Sequence, residues 1–304
     1  MDLQTMASEI RRLKEEKNAI ILAHNYQIPE VQDIADVVGD SLKLSQVAAE
    51  TDHDMIVFCG VHFMAESAKI LSPEKTVLLP VMDAGCPMAD MITAQDLIEF
   101  KKENPDVPVV SYVNSSAEVK AYSDICCTSS NGVKVVESLE ADKLLFVPDK
   151  NLSHWIQQFV PNKEIIRWQG FCITHERVLP REVEMIRNRK PGVEVLVHPE
   201  CNPAVVELAD FVGSTSQIIN HVRNSDAKEV IIGTEMGILH TLRKENPGVR
   251  FTLLSPSLIC HNMKKTSLED VYAALKEEKN VIEVPEDIRK KAYTALDRML
   301  QVKI

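Results

Sequence analysis

Cys86 lies in Ala84-Gly85-Cys86-Pro87-Met88, Cys172 in Gly170-Phe171-Cys172-Ile173-Thr174-His175, and Cys260 in Leu258-Ile259-Cys260-His261-Asn262-Met263; the intervals are 86 and 88 residues. Each cysteine follows a short β-type run at a short remove: Thr76–Leu79, Glu164–Arg167 and Arg250–Leu254. Equal spacing in equal context implies three copies of one unit, each giving one soft thiolate to a shared centre. Three thiolates without a partnered fourth suit a [4Fe–4S] cluster with one iron left open. An open iron is a Lewis acid for carboxylate, hydroxyl or ring nitrogen, which favours dehydration or condensation over electron transfer. Tetrahedral zinc with Cys₃His ligation is the rival metal, with His175 or His261 as the nitrogen ligand. The plain packing reading makes all three cysteines small buried hydrophobes. Cys59, Cys126, Cys127 and Cys201 read as packing thiols, Cys201 with a redox partner's role as its alternative.

The elements that must position these residues repeat three times. A helix over Thr5–Lys17 precedes a buried strand, Ala19–Ala23, which ends at His24-Asn25-Tyr26. Pro29 opens a helix whose inner face carries Val31, Ile34, Ala35 and Val38, and Gly39-Asp40-Ser41 breaks it. A helix over Leu42–Glu50, strand Met55–Cys59, helix Phe63–Ile70 and strand Thr76–Leu79 complete the unit. The order returns with strands Val109–Val113, Leu144–Val147 and Glu164–Arg167, then with Glu194–Val197, Val230–Ile232 and Arg250–Leu254. Independent landmarks keep the register. His24, Asn114 and His198 are 90 and 84 apart; Asp36, Asp124 and Asp210, and Ser41, Ser129 and Thr215, are 88 and 86 apart.

Alternating strands and helices predict an α/β fold: three repeated Rossmann-like αβα domains with parallel sheets around a pseudo-threefold axis. The expected boundaries are 1–85, 86–171 and 172–265, with a tail, 266–304, packing back on the first domain. That tail reads as helix Thr266–Lys276, a strand-like Asn280–Val284 and helix Glu286–Gln301. Ligands of parallel sheets gather at the carboxyl ends of strands. One central site bearing the three cysteine loops follows.

Composition narrows the chemistry. The chain has 304 residues, 45% apolar content and a net charge of −11 without a basic block, which excludes a nucleic-acid surface. The charged stretch Met1–Lys17 is not a signal peptide, and no apolar run approaches the ~18 residues of a membrane span. The expected compartment is the cytoplasm, where seven cysteines argue for metal or catalysis over disulfides.

Ala23-His24-Asn25-Tyr26-Gln27, Gly39-Asp40-Ser41, Tyr112-Val113-Asn114-Ser115, His198-Pro199-Glu200-Cys201, Gly213-Ser214-Thr215, Gly233-Thr234-Glu235 and Asn262-Met263-Lys264-Lys265 closely resemble the quinolinate synthase family over nearly the whole chain. The resemblance implies a transferase that condenses iminoaspartate with dihydroxyacetone phosphate to quinolinate, phosphate and water in NAD biosynthesis. An L-aspartate oxidase or dehydrogenase would supply the imine. It also implies that Cys86, Cys172 and Cys260 ligate a [4Fe–4S] cluster with one open iron. Cys126-Cys127 departs from the family's single cysteine.

By the same resemblance, Ser41 and Ser129 help bind the triose phosphate, and Ser214 and Thr215 grip a carboxylate. The commoner job of such hydroxyls is a helix N-cap. Tyr26 becomes a substrate-positioning and proton-relay group, and Tyr112 and Asn114 carboxylate and carbonyl anchors. Glu200 becomes the base for tautomerisation and ring closure, and His175 a substrate contact. His24 and His198 have the side chain that best moves protons near neutrality or binds phosphate. Lys264 and Lys265 read as a solvated helix start, with phosphate neutralisation as the alternative, and Glu235 is left outside the site. Two other functions fit the cysteines: a different hydro-lyase acting on a di- or tricarboxylate, and a zinc-stabilised scaffold or metal carrier.

Overall fold

Three four-stranded sheets, each wholly parallel, alternate with helices along the computed structural model, which describes residues 2–303. The first holds β1 (Ala19–His24), β2 (Val37–Gly39), β3 (Met55–Cys59) and β4 (Thr76–Leu78). The second holds β5 (Val109–Tyr112), β6 (Ile125–Cys127), β7 (Lys143–Val147) and β8 (Glu164–Arg167). The third holds β9 (Glu194–Val197), β10 (Phe211–Val212), β11 (Glu229–Gly233) and β12 (Arg250–Leu253). Their spatial orders are β2-β1-β3-β4, β6-β5-β7-β8 and β10-β9-β11-β12. One topology is therefore used three times, as the cysteine spacing predicts. Parallel neighbours need crossover helices, and helices cover both faces. That is why β1 is buried at every position.

The second strand of each unit has no clear signature in the sequence. The helix begun at Pro29 stops at Ile34, and Val37–Gly39 pairs with β1 instead of extending that helix. Ile125–Cys127 and Phe211–Val212 fill the same place in the other sheets. Two or three residues are too few for a period to emerge. The strand expected over Asn280–Val284 reduces to one antiparallel bridge between Val281 and Leu78. Asn280 has φ 62°, outside the range of an extended chain.

Asp36, Asp124 and Asp210 explain how such short edges hold. Each stands just before the edge strand and gives its backbone N–H to the first strand of its unit, at the carbonyls of Ile21, Val109 and Val195 (all 2.9 Å). Its carboxylate takes the N–H of the same residue, at 2.8, 2.7 and 2.8 Å respectively. A cation completes each clamp: Lys14, Lys101 and Arg187. One acid thus starts the edge strand in register in all three units.

The largest apolar cluster runs through all three units, from Leu22 and Phe58 through Val110 and Phe146 to Leu196 and Ile232, and the three cysteines pack at its border. The C-terminal segment divides. Helix Leu268–Glu277 shares a core with Met6, Ile10 and Leu13 of the first helix. Helix Glu286–Gln301 lies on helix Ala117–Ala121 and β6 of the second unit as well as on helix His62–Leu71 of the first. No helix among the described residues is long and apolar enough to cross a membrane.

Asp210→Ala should leave the Val195 amide without its side-chain acceptor and lower unfolding free energy by about 1–3 kcal/mol. The expected reading is a lower urea midpoint at constant slope. An unmoved midpoint would show that the clamp carries no stability.

Candidate active site

The carboxyl ends of the strands and the loops after β4, β8 and β12 surround one cavity of about 250 Å³. The first unit contributes His24, Tyr26, Ser41 and Cys86; the second, Tyr112, Asn114, Ser129, Cys172 and His175; the third, His198, Glu200, Thr215 and Cys260. Ser214 is placed differently. It is fully buried, and its hydroxyl caps the helix Thr215–Arg223 by accepting from Gln217 N–H at 3.3 Å.

All seven cysteines are free thiols. Cys59, Cys126, Cys127 and Cys201 are buried in the packed core, with the Cys201 sulfur 3.5 Å from the Gly233 carbonyl. Cys86, Cys172 and Cys260 alone are partly open, and they open to the cavity. Burial pushes the Cys86 thiol up to about 12, with the charge of Cys260 adding to the rise. Burial and then the charge of Glu200 push Cys172 well above the usual thiol range, with Cys86 contributing, and burial raises Cys260 as well. Thiols so placed are neutral on their own, and only a cation beside them would favour the thiolate form of all three.

His24 and His198 hold one posture in two units. The backbone N–H of Tyr26 donates to His24 Nδ1 at 3.1 Å, and that of Glu200 donates to His198 Nδ1 at 3.3 Å. An accepting Nδ1 fixes the neutral tautomer with its proton on Nε2. The proton of His198 then points at Ser129 Oγ, 3.2 Å away. Burial lowers the two imidazoles to about 4 and about 3, so both are neutral donors near pH 7. Asn114, at the equivalent strand end, has a buried Oδ1 with no protein donor among the described residues.

One hydrogen-bonded chain crosses the units. Thr215 Oγ1 donates to the Tyr26 hydroxyl (2.9 Å), which lies 2.6 Å from Thr234 Oγ1. Thr234 is 2.9 Å from His175 Nε2, and His175 Nδ1 is 2.7 Å from Glu200 Oε2 and 3.2 Å from the Cys172 sulfur. Glu200 Oε1 accepts from the Tyr112 hydroxyl at 2.7 Å. Burial pushes the Glu200 carboxyl up, but the bonds donated by His175 and Tyr112 outweigh it and hold it ionised. Burial and the Glu200 charge raise both phenols, which therefore keep their protons. The cavity thus holds a carboxylate that can take a proton and hydroxyls that can give one.

Several participants carry no such expectation from the sequence. Thr234 joins Tyr26 to His175. Ser130 donates to Asp40 Oδ2 (2.7 Å) and its oxygen lies 2.8 Å from Ser214 Oγ, which ties one residue of each unit together. Lys264 is largely buried and bonds both the Tyr26 carbonyl and Glu235, itself fully buried, so the solvated helix start is replaced by an internal ion pair. Gly237 lets these segments meet: a Cβ there would stand 2.6 Å from Tyr26 Cα. The acid-hydroxyl motif Gly233-Thr234-Glu235 is the available signal, but nothing local says that it faces another unit. Lys265 remains a surface residue and pairs with Asp83 at 2.9 Å.

A sequence model described as "Quinolinate synthetase A protein" matches residues 8–301. The chain belongs to that family. It is 64% identical over 303 residues to a quinolinate synthase of Alkaliphilus metalliredigens, covering 100% of both chains. It is 57% identical over 302 residues to one from Caldicellulosiruptor bescii, covering 99% of this chain and 100% of the relative, and 56% identical to one from Clostridium kluyveri with the same coverage.

The neutral histidines can be checked directly. In the metal-free chain, ¹⁵N NMR should show His24 and His198 with Nε2 protonated and Nδ1 bare at pH 5. A free histidine is charged below about 6.5, so the unfolded chain takes up these protons first. This contribution to stability is full above that pH and is lost as pH falls toward about 4 and about 3. Titration of either ring near 6.5 would contradict the reading.

Proposed function

We propose that this chain condenses iminoaspartate with dihydroxyacetone phosphate to give quinolinate, phosphate and water, as a transferase on the de novo route to NAD. Membership of the family supports the reaction. The observation that carries the mechanism is the opening of three cysteines, one from each equivalent loop, into one cavity with a carboxylate and two buried phenols.

Cys86, Cys172 and Cys260 would hold a [4Fe–4S] cluster. The donor set fits it: three soft ligands, free of disulfides and of the packing that occupies the other four cysteines. When bound, the cluster supplies a Lewis acid at its iron without a protein ligand. Cys172, His175 and Glu200 also bring one donor atom each within 4.8 Å of one another, a set able to hold a zinc-type ion. Those His175 and Glu200 atoms already bond each other, and such an ion would leave Cys86 and Cys260 without a task.

The remaining steps belong to the side chains. Ser41, Ser129 and the Nε2 donors of His24 and His198 bind the phosphate of the triose, and Thr215 receives a carboxylate above the turn capped by Ser214. Asn114 Oδ1 accepts an N–H or O–H of the bound imine, and Tyr112 orients a carboxylate while holding Glu200. Glu200 takes the proton from the carbon beside the imine, passes it through His175 and Thr234 toward Tyr26, and is then free to take the proton released in ring closure. Tyr26 gives a proton to the departing hydroxyl and is resupplied through its hydroxyl neighbours, Thr215 and Thr234. His175 fixes Glu200 and faces the substrate. We place the reaction in the cytoplasm, where free thiols persist, and an L-aspartate oxidase or dehydrogenase supplies the unstable imine.

Anaerobic reconstitution with iron and sulfide should give a brown protein that forms quinolinate from the two substrates. Cys172→Ser should lose most of the cluster absorbance and Cys201→Ser should keep it; equal retention would remove the ligand assignment. Cluster without quinolinate would point to another hydro-lyase, and a colourless protein with one tight zinc to a scaffold. Glu200→Gln should keep the cluster while turnover falls about 10²–10⁴-fold. Normal turnover would exclude Glu200 as the base.

A further inference from the structure

The loop that carries each cysteine is strapped to the end of the third strand of its sheet by one backbone bond, repeated in all three units. His62 N–H donates to the Ala84 carbonyl (2.8 Å), Lys150 N–H to the Gly170 carbonyl (2.8 Å), and Met236 N–H to the Leu258 carbonyl (2.9 Å). The residue just before each donor differs: Val61, Asp149 and Glu235. The two acids are fully buried. Asp149 Oδ2 accepts the backbone N–H of Cys172 at 3.2 Å, while Oδ1 caps the following helix at Leu152 N–H, 2.7 Å. Glu235 Oε1 accepts the N–H of Cys260 at 3.0 Å, while Oε2 takes Gly237 N–H at 2.7 Å and the Lys264 ammonium at 2.9 Å. Val61 has no such acceptor. The loop of Cys86 is instead held across the unit boundary, where Asn262 Nδ2 donates to the Gly85 carbonyl (2.7 Å) and Lys265 to Asp83.

We infer that Asp149 and Glu235 are positioning residues for the metal centre, each fixing the backbone of one cysteine so that its sulfur is presented to the cavity. The inference rests on the cluster reading above. A carboxylate with both oxygens engaged locks two amides at once, one in the helix or turn it starts and one in the cysteine loop. Two loops are thereby tied to their own sheets, and the third is set by its neighbour. Burial raises both acids, the Asp149 carboxyl well above its usual range with the Glu200 charge adding, and any negative charge they keep beside a thiolate opposes ionisation of the sulfur. The benefit of the acids is therefore geometric. Outer partners that orient metal ligands commonly contribute 10–100-fold to retention.

The test uses reconstituted full-length protein with Asp149→Asn and Glu235→Gln. Each amide retains one accepting oxygen and turns an NH₂ toward the other N–H, so one of the two bonds is lost. Cluster loss to a chelator should quicken about 10-fold or more. Alkylation during that loss, mapped by mass spectrometry, should mark Cys172 first in Asp149→Asn and Cys260 first in Glu235→Gln. A general loss of structure would expose all three cysteines together. Equal alkylation, or release as slow as in the parent, would overturn the inference. If one variant fails to fold, the other applies the same test at its own cysteine. If the parent binds no cluster, the cluster reading falls instead, which separates the two failures.

Discussion

Three thiols open into one cavity, and none of them can ionise there alone. Burial raises Cys86, Cys172 and Cys260, and the nearby Glu200 carboxylate raises Cys86 and Cys172 further. As thiolates they would repel one another, so only a cation between them would let all three ionise together. The fold must therefore hold those loops in place without help from the sulfurs themselves. Most of the repeated architecture serves that need: the same sheet order, the same aspartate clamp and the same backbone strap.

Repetition builds the frame, and divergence at matching positions builds the chemistry. At or just past the ends of the first strands stand His24, Asn114 and His198, which gives two imidazole donors and one amide acceptor around a shared space. Two residues further on stand Tyr26, Ser116 and Glu200. A symmetric site would hold three copies of one group; the proposed condensation requires an acid, a base and an anion clamp in different places. The chain from Thr215 through Tyr26, Thr234 and His175 to Glu200 and Tyr112 uses residues from all three units. No unit could carry it alone.

What is long or repeated is legible in the amino-acid sequence. Strands β1, β3, β5, β7, β9 and β11 are apolar runs, and the cysteine spacing alone implies that their ends converge. The edge strands stay hidden because two or three residues carry no period, and Asp36, Asp124 and Asp210, which in the sequence are only landmarks of the repeat, are what begins those strands. Ser214 reads like the other site hydroxyls, yet its cap and its bond to Ser130 consume it. Lys264 resembles a surface charge because its partner, Glu235, is 29 residues earlier in the chain. Contacts between units depend on how sheets are set against one another, which no local pattern encodes.

The central claim is that three cysteines bind one cluster and leave a single iron for the substrate. Mössbauer spectroscopy of protein reconstituted with ⁵⁷Fe tests it most directly. The account predicts one iron distinguishable from the other three, and a change confined to that iron when a dicarboxylate analogue of iminoaspartate is added. Four irons that all ignore the dicarboxylate, or no iron held by these cysteines, would contradict it.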